Sequence, residues 1–195
     1  MVTAITMVTV VFGSNESFSS SLPGCKNTCG NVKNIPFPFG ISNSSIPNKG
    51  PCYLESKFQL MCKNNKELLW DNVRVTNINF LQGQLKVLNY VSVYCNYKDN
   101  ISSILPFLDT TGTFSISRKE NKFLTVGCDS YGYLNSIFDN ETYSTGCLTR
   151  CNGNRKRIEN GTCSGIGCCE VDIPPKMRNI SIEASGFFDS NESLR

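Results

Sequence analysis

The sequence contains no histidine. That removes the side chain whose ordinary pKa lies nearest neutrality, and with it Ser-His-Asp catalysis, Cys-His catalysis and histidine metal ligation. Apolar residues make up only 39% of the chain, and tryptophan occurs once, at Trp70. A modest core follows, one that needs reinforcement from elsewhere. No segment after the amino terminus approaches the roughly 18 apolar residues of a membrane-crossing helix, so the sequence as given has no anchor of its own. Nor does any window of useful length show helical periodicity. The net charge of +3 is mild. Nucleic-acid binding ordinarily shows a far stronger basic excess, so no nucleic-acid partner is expected.

Cysteine is what the chain has in plenty. Eleven occur in 195 residues: Cys25, Cys29, Cys52, Cys62, Cys95, Cys128, Cys147, Cys151, Cys163, Cys168 and Cys169. Asn-X-Ser/Thr sequons begin at Asn15, Asn43, Asn100, Asn140, Asn160, Asn179 and Asn191. Together these indicate a secreted or ectodomain chain, disulfide-stapled and glycosylated. Each native disulfide contributes about 2–4 kcal/mol, so five would rival the net stability of an ordinary domain. Eleven is odd, so one cysteine lacks a partner within this chain. Adjacent Cys168 and Cys169 lie too close to join each other comfortably and should take different partners. The C-x3-C spacings at Cys25/Cys29 and Cys147/Cys151, and C-x4-C at Cys163/Cys168, read as disulfide halves rather than zinc ligands in a chain without histidine. No metal and no cofactor are expected.

Residues 1–13 open with MVTAITMVTVVF, uncharged and mostly apolar or small, and read as a signal peptide lacking its basic start. Residues 14–24 are a Ser-rich linker. In NIPFPFG, residues 34–40, each residue before proline is held extended, so Phe37 and Phe39 point the same way and anchor the segment in the core. Strand patterns cover Phe58 to Cys62, Asn72 to Phe80 with a bulge near Thr76–Asn77, Leu85 to Cys95, Thr113–Ser117, Lys122–Cys128 and Asn179–Ser185. Gln82–Gly83 suits a hairpin turn. Ile104 to Leu108 is apolar but interrupted by Pro106. Residues 140–169 hold five cysteines, five glycines and few large apolar residues, so disulfides rather than packing should order them. One arrangement nests Cys151–Cys163 inside Cys147–Cys168 or Cys147–Cys169, although sequence does not fix connectivity. The fold class is mainly β, a disulfide-rich extracellular domain with long loops, in a strand-rich lobe of about 25–135 and a Cys-rich lobe of about 136–188. A tail of 189–195 follows.

The stretch Gly24-Cys25-Lys26-Asn27-Thr28-Cys29-Gly30-Asn31-Val32, followed by Ile35-Pro36-Phe37-Pro38-Phe39-Gly40, resembles the start of the galacturonan-binding domain of plant wall-associated receptor kinases. In order come Cys52-Tyr53 with Phe58-Gln59-Leu60-Met61-Cys62, then Gly83-Gln84-Leu85, Phe123 to Cys128, Tyr143 to Cys147, and Cys163 to Cys169. The resemblance covers about residues 24–188. It implies a wall-facing module that binds pectin, in particular galacturonan and oligogalacturonides, without covalent chemistry. In the family such a module precedes EGF-like repeats, a transmembrane helix and a Ser/Thr kinase, none of which this sequence contains. It also implies one further cysteine beyond residue 195, which would account for the odd count.

A polyanion with one carboxylate per sugar calls for spaced cations, arginine above all. The densest set is Arg150, Arg155, Lys156 and Arg157, in the loop bounded by Cys147 and Cys163. Arg118, Lys119 and Lys122 form a second set in a turn between strands. Lys26 and Lys33 flank the first cysteines and form a third. Trp70 reads as core. No EF-hand-like acidic loop is present to hold calcium. The acids Glu55, Glu67, Asp71, Asp129 and Asp172 are scattered outside any glycosidase-like pairing, so catalysis is not expected. A peptide-recognition ectodomain or soluble decoy is the alternative, and a wall-modifying enzyme a more distant one.

Overall fold

The computed structural model describes residues 2–4, 7–11, 20–42, 45–46, 50–97, 100–110, 112–138, 140–152 and 158–187. Its strands are, first, β1 (Val2–Ala4), β2 (Met7–Val11), β3 (Gly40–Ile41), β4 (Ser45–Ile46), β5 (Gly50–Pro51), β6 (Gln59–Lys63), β7 (Glu67–Trp70), β8 (Val73–Asn79) and β9 (Gln84–Leu88). Then come β10 (Ser92–Tyr97), β11 (Asn100–Ile104), β12 (Phe107–Leu108), β13 (Ser115–Ile116), β14 (Lys122–Val126), β15 (Ser130–Phe138), β16 (Glu141–Thr149), β17 (Cys168–Asp172) and β18 (Ile180–Gly186). Among the described residues the only helical piece is a single 3-10 turn, Ser56–Phe58, and none is long and apolar enough to cross a membrane. The chain divides into two compact units: Met7–Asn89 with Thr111–Ser117, and Met1–Thr6 with Tyr90–Thr110 and Arg118–Arg195. The division anticipated near residue 135 falls inside β15.

The first unit is built on a seven-stranded sheet in the order β13-β2-β9-β8-β7-β6-β3, antiparallel except where β3 runs parallel to β6. Alternation along each strand sends Leu60 and Cys62, Leu68 and Trp70, Val73 and Val75, and Leu85 and Val87 to the buried side. Phe114 is fully buried against them, its ring 4.8 Å from Trp70, 5.9 Å from Phe58 and 6.3 Å from Phe39. The Trp70 indole N–H, costly to bury alone, donates to the Lys57 carbonyl at 3.0 Å. Phe39 lies in this core, whereas Phe37 is half-buried at a turn, so the two phenylalanines do not share one extended face. The register of β8 against β9 shifts between Val75 and Asn77, which is the bulge that the change of alternation marks. Gly83 closes the β8–β9 turn at φ +60°, its N–H on the Phe80 carbonyl. The apolar start also contributes here: β2 lies between β9 and β13, and Val10 is wholly buried.

Two disulfides, Cys25–Cys52 and Cys29–Cys62, close loops with sequence separations of 27 and 33 in this unit. In the chain-entropy model each restricts the unfolded chain by about 3–4 kcal/mol.

The second unit holds two sheets, ordered β11-β10-β1-β14-β17 and β12-β18-β15-β16. The run Leu85 to Cys95, which reads as one strand, breaks at Asn89–Val91: β9 ends in the first unit and β10 begins in the second. Asn89, the polar exception in that run, marks the break. Pro106 likewise separates β11 from β12, as a missing N–H demands. Residues 140–169 are not ordered by disulfides alone. β15 and β16 form a nine-residue antiparallel ladder from Ser130↔Thr149 to Phe138↔Glu141, and β18 pairs the other side of β15. One face of β15 buries Leu134 and Ser136 with Ile182 and Ala184 of β18, which is the packing that a count of large apolar residues overlooks.

Adjacent Cys168 and Cys169 take different partners, Cys163 and Cys147. The nested Cys151–Cys163 bond does not occur. Cys151 joins Cys128 instead, because the β15–β16 ladder brings the ends of that hairpin together. Cys95 on β10 is the free thiol.

Candidate functional site

In the first unit, Cys29 and Val32 exchange backbone hydrogen bonds of 2.9 and 3.0 Å, making a tight hairpin with Gly30 and Asn31 at its tip. The tip packs against the turn between β6 and β7. Gly30 donates to the Asn65 carbonyl at 3.2 Å, and a Cβ at Gly30 would stand 2.0 Å from the Lys66 carbonyl oxygen. With φ +55° as well, the position tolerates only glycine. The turn itself uses Asn64 and Asn65 at φ +52° and +56°, a backbone region that asparagine accepts more readily than most residues. The Cys29–Cys62 bond ties hairpin to strand.

Between the hairpin and the sheet lies a cleft of about 120 Å3. Val32, Leu68 and Val75 form its apolar floor, and Asn31, Lys66, Arg74 and Thr76 its polar rim. The nearest carboxylate to Arg74 is Glu67 at 3.8 Å, with both side chains about half exposed. A pair that long in water holds the guanidinium weakly and leaves most of its donors available. Lys26 is held at the same turn, its ammonium donating to Asn65 Oδ1 at 2.6 Å. Thr76 donates to the Lys86 carbonyl at 3.1 Å, and its oxygen still has acceptor capacity. Two cations, Lys66 and Arg74, against the Glu67 carboxylate leave the rim positive. An apolar floor with donors above it suits a small ring carrying hydroxyls and a carboxylate.

Of the cations singled out in the sequence none lines this cleft; Lys26 is brought only to the Asn64–Asn65 turn beside it. Lys33 is exposed just beyond the hairpin and does not line it. Arg118 and Lys119 stand exposed in the turn before β14. Lys122 is ion-paired with Asp172 of β17, and that bond raises the lysine pKa and lowers the carboxyl pKa, the attraction between the charges adding to both shifts. Arg150 lies over the Phe187 ring in the second unit. Arg155, Lys156 and Arg157 lie outside the described residues, as do Asn15, Asn43 and Asn191. Lys66, Arg74, Asn31 and Thr76 were not anticipated. Lys66 and Arg74 are eight positions apart, so no local cluster announces them; the β7–β8 hairpin brings them to one rim.

The acids named above mostly have structural partners. Glu55 pairs with Lys57 at 3.0 Å, Glu67 faces Arg74, Asp172 holds Lys122, and Asp129 accepts from the Cys151 N–H at 3.2 Å. Asn140 and Asn160 are exposed sequon positions. Asn179 differs: it is half-buried, and its Oδ1 accepts from both the Thr110 N–H and hydroxyl at 3.0 and 3.1 Å. No cluster of three metal-ligating side chains occurs among the described residues.

Residues 25–89, which contain the whole cleft, match the family model described as wall-associated receptor kinase galacturonan-binding. The chain is similar to wall-associated receptor kinase 2 of Arabidopsis thaliana, 32% identical over 84% of this chain and 21% of the relative. It is likewise similar to wall-associated receptor kinase 3 of the same plant, at 37% over 76% of this chain and 19% of the relative. Wall-associated receptor kinase-like 10 is 25% identical over 80% of this chain and 24% of that protein. The chain thus spans about a fifth of the length of the curated relatives that it matches. No solved structure matches it.

Proposed function

We propose that this chain, whose residues 25–89 match the galacturonan-binding family of wall-associated receptor kinases, binds pectic polysaccharide non-covalently through the cationic cleft of its first unit. The observation that carries the reading is the convergence, within the matched residues, of Lys66 and Arg74 on an apolar-floored cleft, with Lys26 held at the turn beside it. A galacturonate ring presents an apolar face to Val32 and Leu68, its carboxylate to Arg74 or Lys66, and its hydroxyls to Asn31 and Thr76. A longer chain would extend past the hairpin toward Lys26. The module works on the extracellular, wall-facing side, where its five disulfides persist. It acts by binding and not by catalysis.

The test is binding of the oxidised, glycosylated protein to immobilised polygalacturonate over a salt series, with neutral galactan as control. Salt-sensitive binding to polygalacturonate is the expected result. Retention on polygalacturonate that does not change with salt, or none there by a protein shown to be folded, would refute the proposal.

A further inference from the structure

The second unit carries an aromatic surface that the cleft does not use. Tyr131 and Tyr133 stand two residues apart on β15 and so share the face opposite buried Gly132 and Leu134. Their ring centroids are 5.5 Å apart, and the Phe187 ring lies 5.1 Å from Tyr131. The guanidinium of Arg150 sits 4.1 Å from the Phe187 centroid. Rings and cation thus form an unbroken series from Tyr133 through Tyr131 and Phe187 to Arg150. Tyr133 is 45% exposed. Its ring lies across Gly146 of β16, where a Cβ would come within 2.3 Å of the Gly132 carbonyl oxygen and 2.6 Å of the ring's Cδ1, so glycine leaves room for the ring there. Beside the tyrosines opens a cleft of about 320 Å3, with Ser103, Ser185 and Glu183 on its walls. Glu183 sits directly across from Tyr133 in the ladder with β18.

Phenolic faces bordered by hydroxyls and one carboxylate match a pyranose ring: its C–H face stacks, and its hydroxyls donate to the carboxylate. A protein partner would instead seek a deep, desolvated pocket for an anchoring side chain. The two charges set what kind of sugar fits. Glu183 repels a free carboxylate over Tyr133, whereas Arg150, which no ion pair engages among the described residues, attracts one at the other end of the series. We infer that this face of the second unit is a second glycan site, taking an uncharged sugar (neutral, or a methyl-esterified uronate) over Tyr131 and Tyr133 and a neighbouring carboxylate at Arg150. The inference rests on the glycan-binding reading but not on the cationic cleft.

The experiment is calorimetric titration of the full chain with four oligosaccharides: unesterified, partially methyl-esterified and fully methyl-esterified oligogalacturonide, and neutral galactan. Tyr133→Ala should weaken binding of the fully esterified oligomer, or of galactan if neutral sugars are the natural occupant, by about five- to tenfold. Tyr133→Phe should keep it within about twofold, since the stacking face remains. Arg150→Ala should weaken the partially esterified oligomer alone. Binding of the unesterified oligomer should be unchanged in Tyr133→Ala and weakened about thirtyfold in Lys66→Ala/Arg74→Ala. Wild-type failure to bind either uncharged glycan, or Tyr133→Ala binding them as tightly as wild type, overturns the inference. So does a Tyr133→Ala chain weakened equally toward all four. If only the unesterified oligomer fails to bind wild type, the cationic cleft is refuted and this site stands.

Discussion

Replacing Lys66 and Arg74 together with alanine should weaken recognition of polygalacturonate by up to about thirtyfold while leaving the fold intact. Both lie on the rim of the cleft, and the Glu67 carboxylate facing Arg74 is 3.8 Å away, so little native structure depends on them. An exposed charge contact is worth up to about 1 kcal/mol. That is roughly a fivefold loss per cation, and about thirtyfold for the two acting independently. The dependence on salt should fall as well, because the contacts removed are those that screening weakens as the Debye length contracts from about 10 Å at 0.1 M to about 3 Å at 1 M. Arg118→Ala/Lys119→Ala is the matched control. It removes the same number of charges from a net +3 and should change affinity less than about twofold, because those side chains stand in an exposed turn and do not line the cleft. Glu67→Gln should act in the opposite direction, strengthening binding by relieving Arg74 of the Glu67 carboxylate. Affinity on immobilised polygalacturonate at several salt concentrations, with melting temperature as the fold check, decides the matter. Equal losses in the two double variants would show that net charge and not the cleft governs binding, and would refute the reasoning.

Phe114→Ala removes the ring at the centre of the first unit's aromatic cluster and should cost about 3–5 kcal/mol in denaturant unfolding, with a loss below 1 kcal/mol contradicting the packing described. The Lys122–Asp172 pair should contribute over a defined pH range. Asp172 is held below its ordinary pKa by the Lys122 bond, so its contribution is present above the ordinary carboxylate range and lost as pH falls through the lowered value. Lys122 is raised by the same bond, so its contribution is full below the ordinary lysine range and lost as pH rises through the raised value. Asp172→Asn should therefore flatten the acid limb of melting temperature against pH; an unaltered limb would show that the pair does nothing for stability. Asn179→Ala strips two buried donors on Thr110 of their acceptor and should destabilise by about 1–3 kcal/mol, whereas Asn140→Ala should remove a glycan, read by mass, with little change in melting temperature. A chain beginning at Ser14 lacks β2, in which Thr9 and Val10 are buried, and should melt lower than the full chain; equal melting temperatures would favour the leader reading of residues 1–13.

Local chemistry explains what could be read without the fold. Alternation of apolar and polar residues is a property of the strand itself, so β8, β9 and β14 declare themselves, and the change of phase at Thr76–Asn77 declares the bulge. A compositional excess of cysteine needs no coordinates to imply disulfides, and adjacency alone forbids an easy Cys168–Cys169 bond. The galacturonan-binding resemblance likewise rests on ordered local motifs that begin at Cys25. Convergence of distant residues needed the tertiary structure. Polar and glycine-rich stretches form β15 and β16 because each pairs with a neighbour whose position the sequence does not state. Cys151 meets Cys128 only once that ladder exists. Charge density along the chain pointed to residues 150–157, yet Lys66 and Arg74 share one rim because a hairpin folds eight positions back on themselves. Lys122, equally conspicuous in the sequence, spends its charge on Asp172, fifty residues away. A binding site is a set of through-space distances, and those are decided by pairing and packing and not by order along the chain.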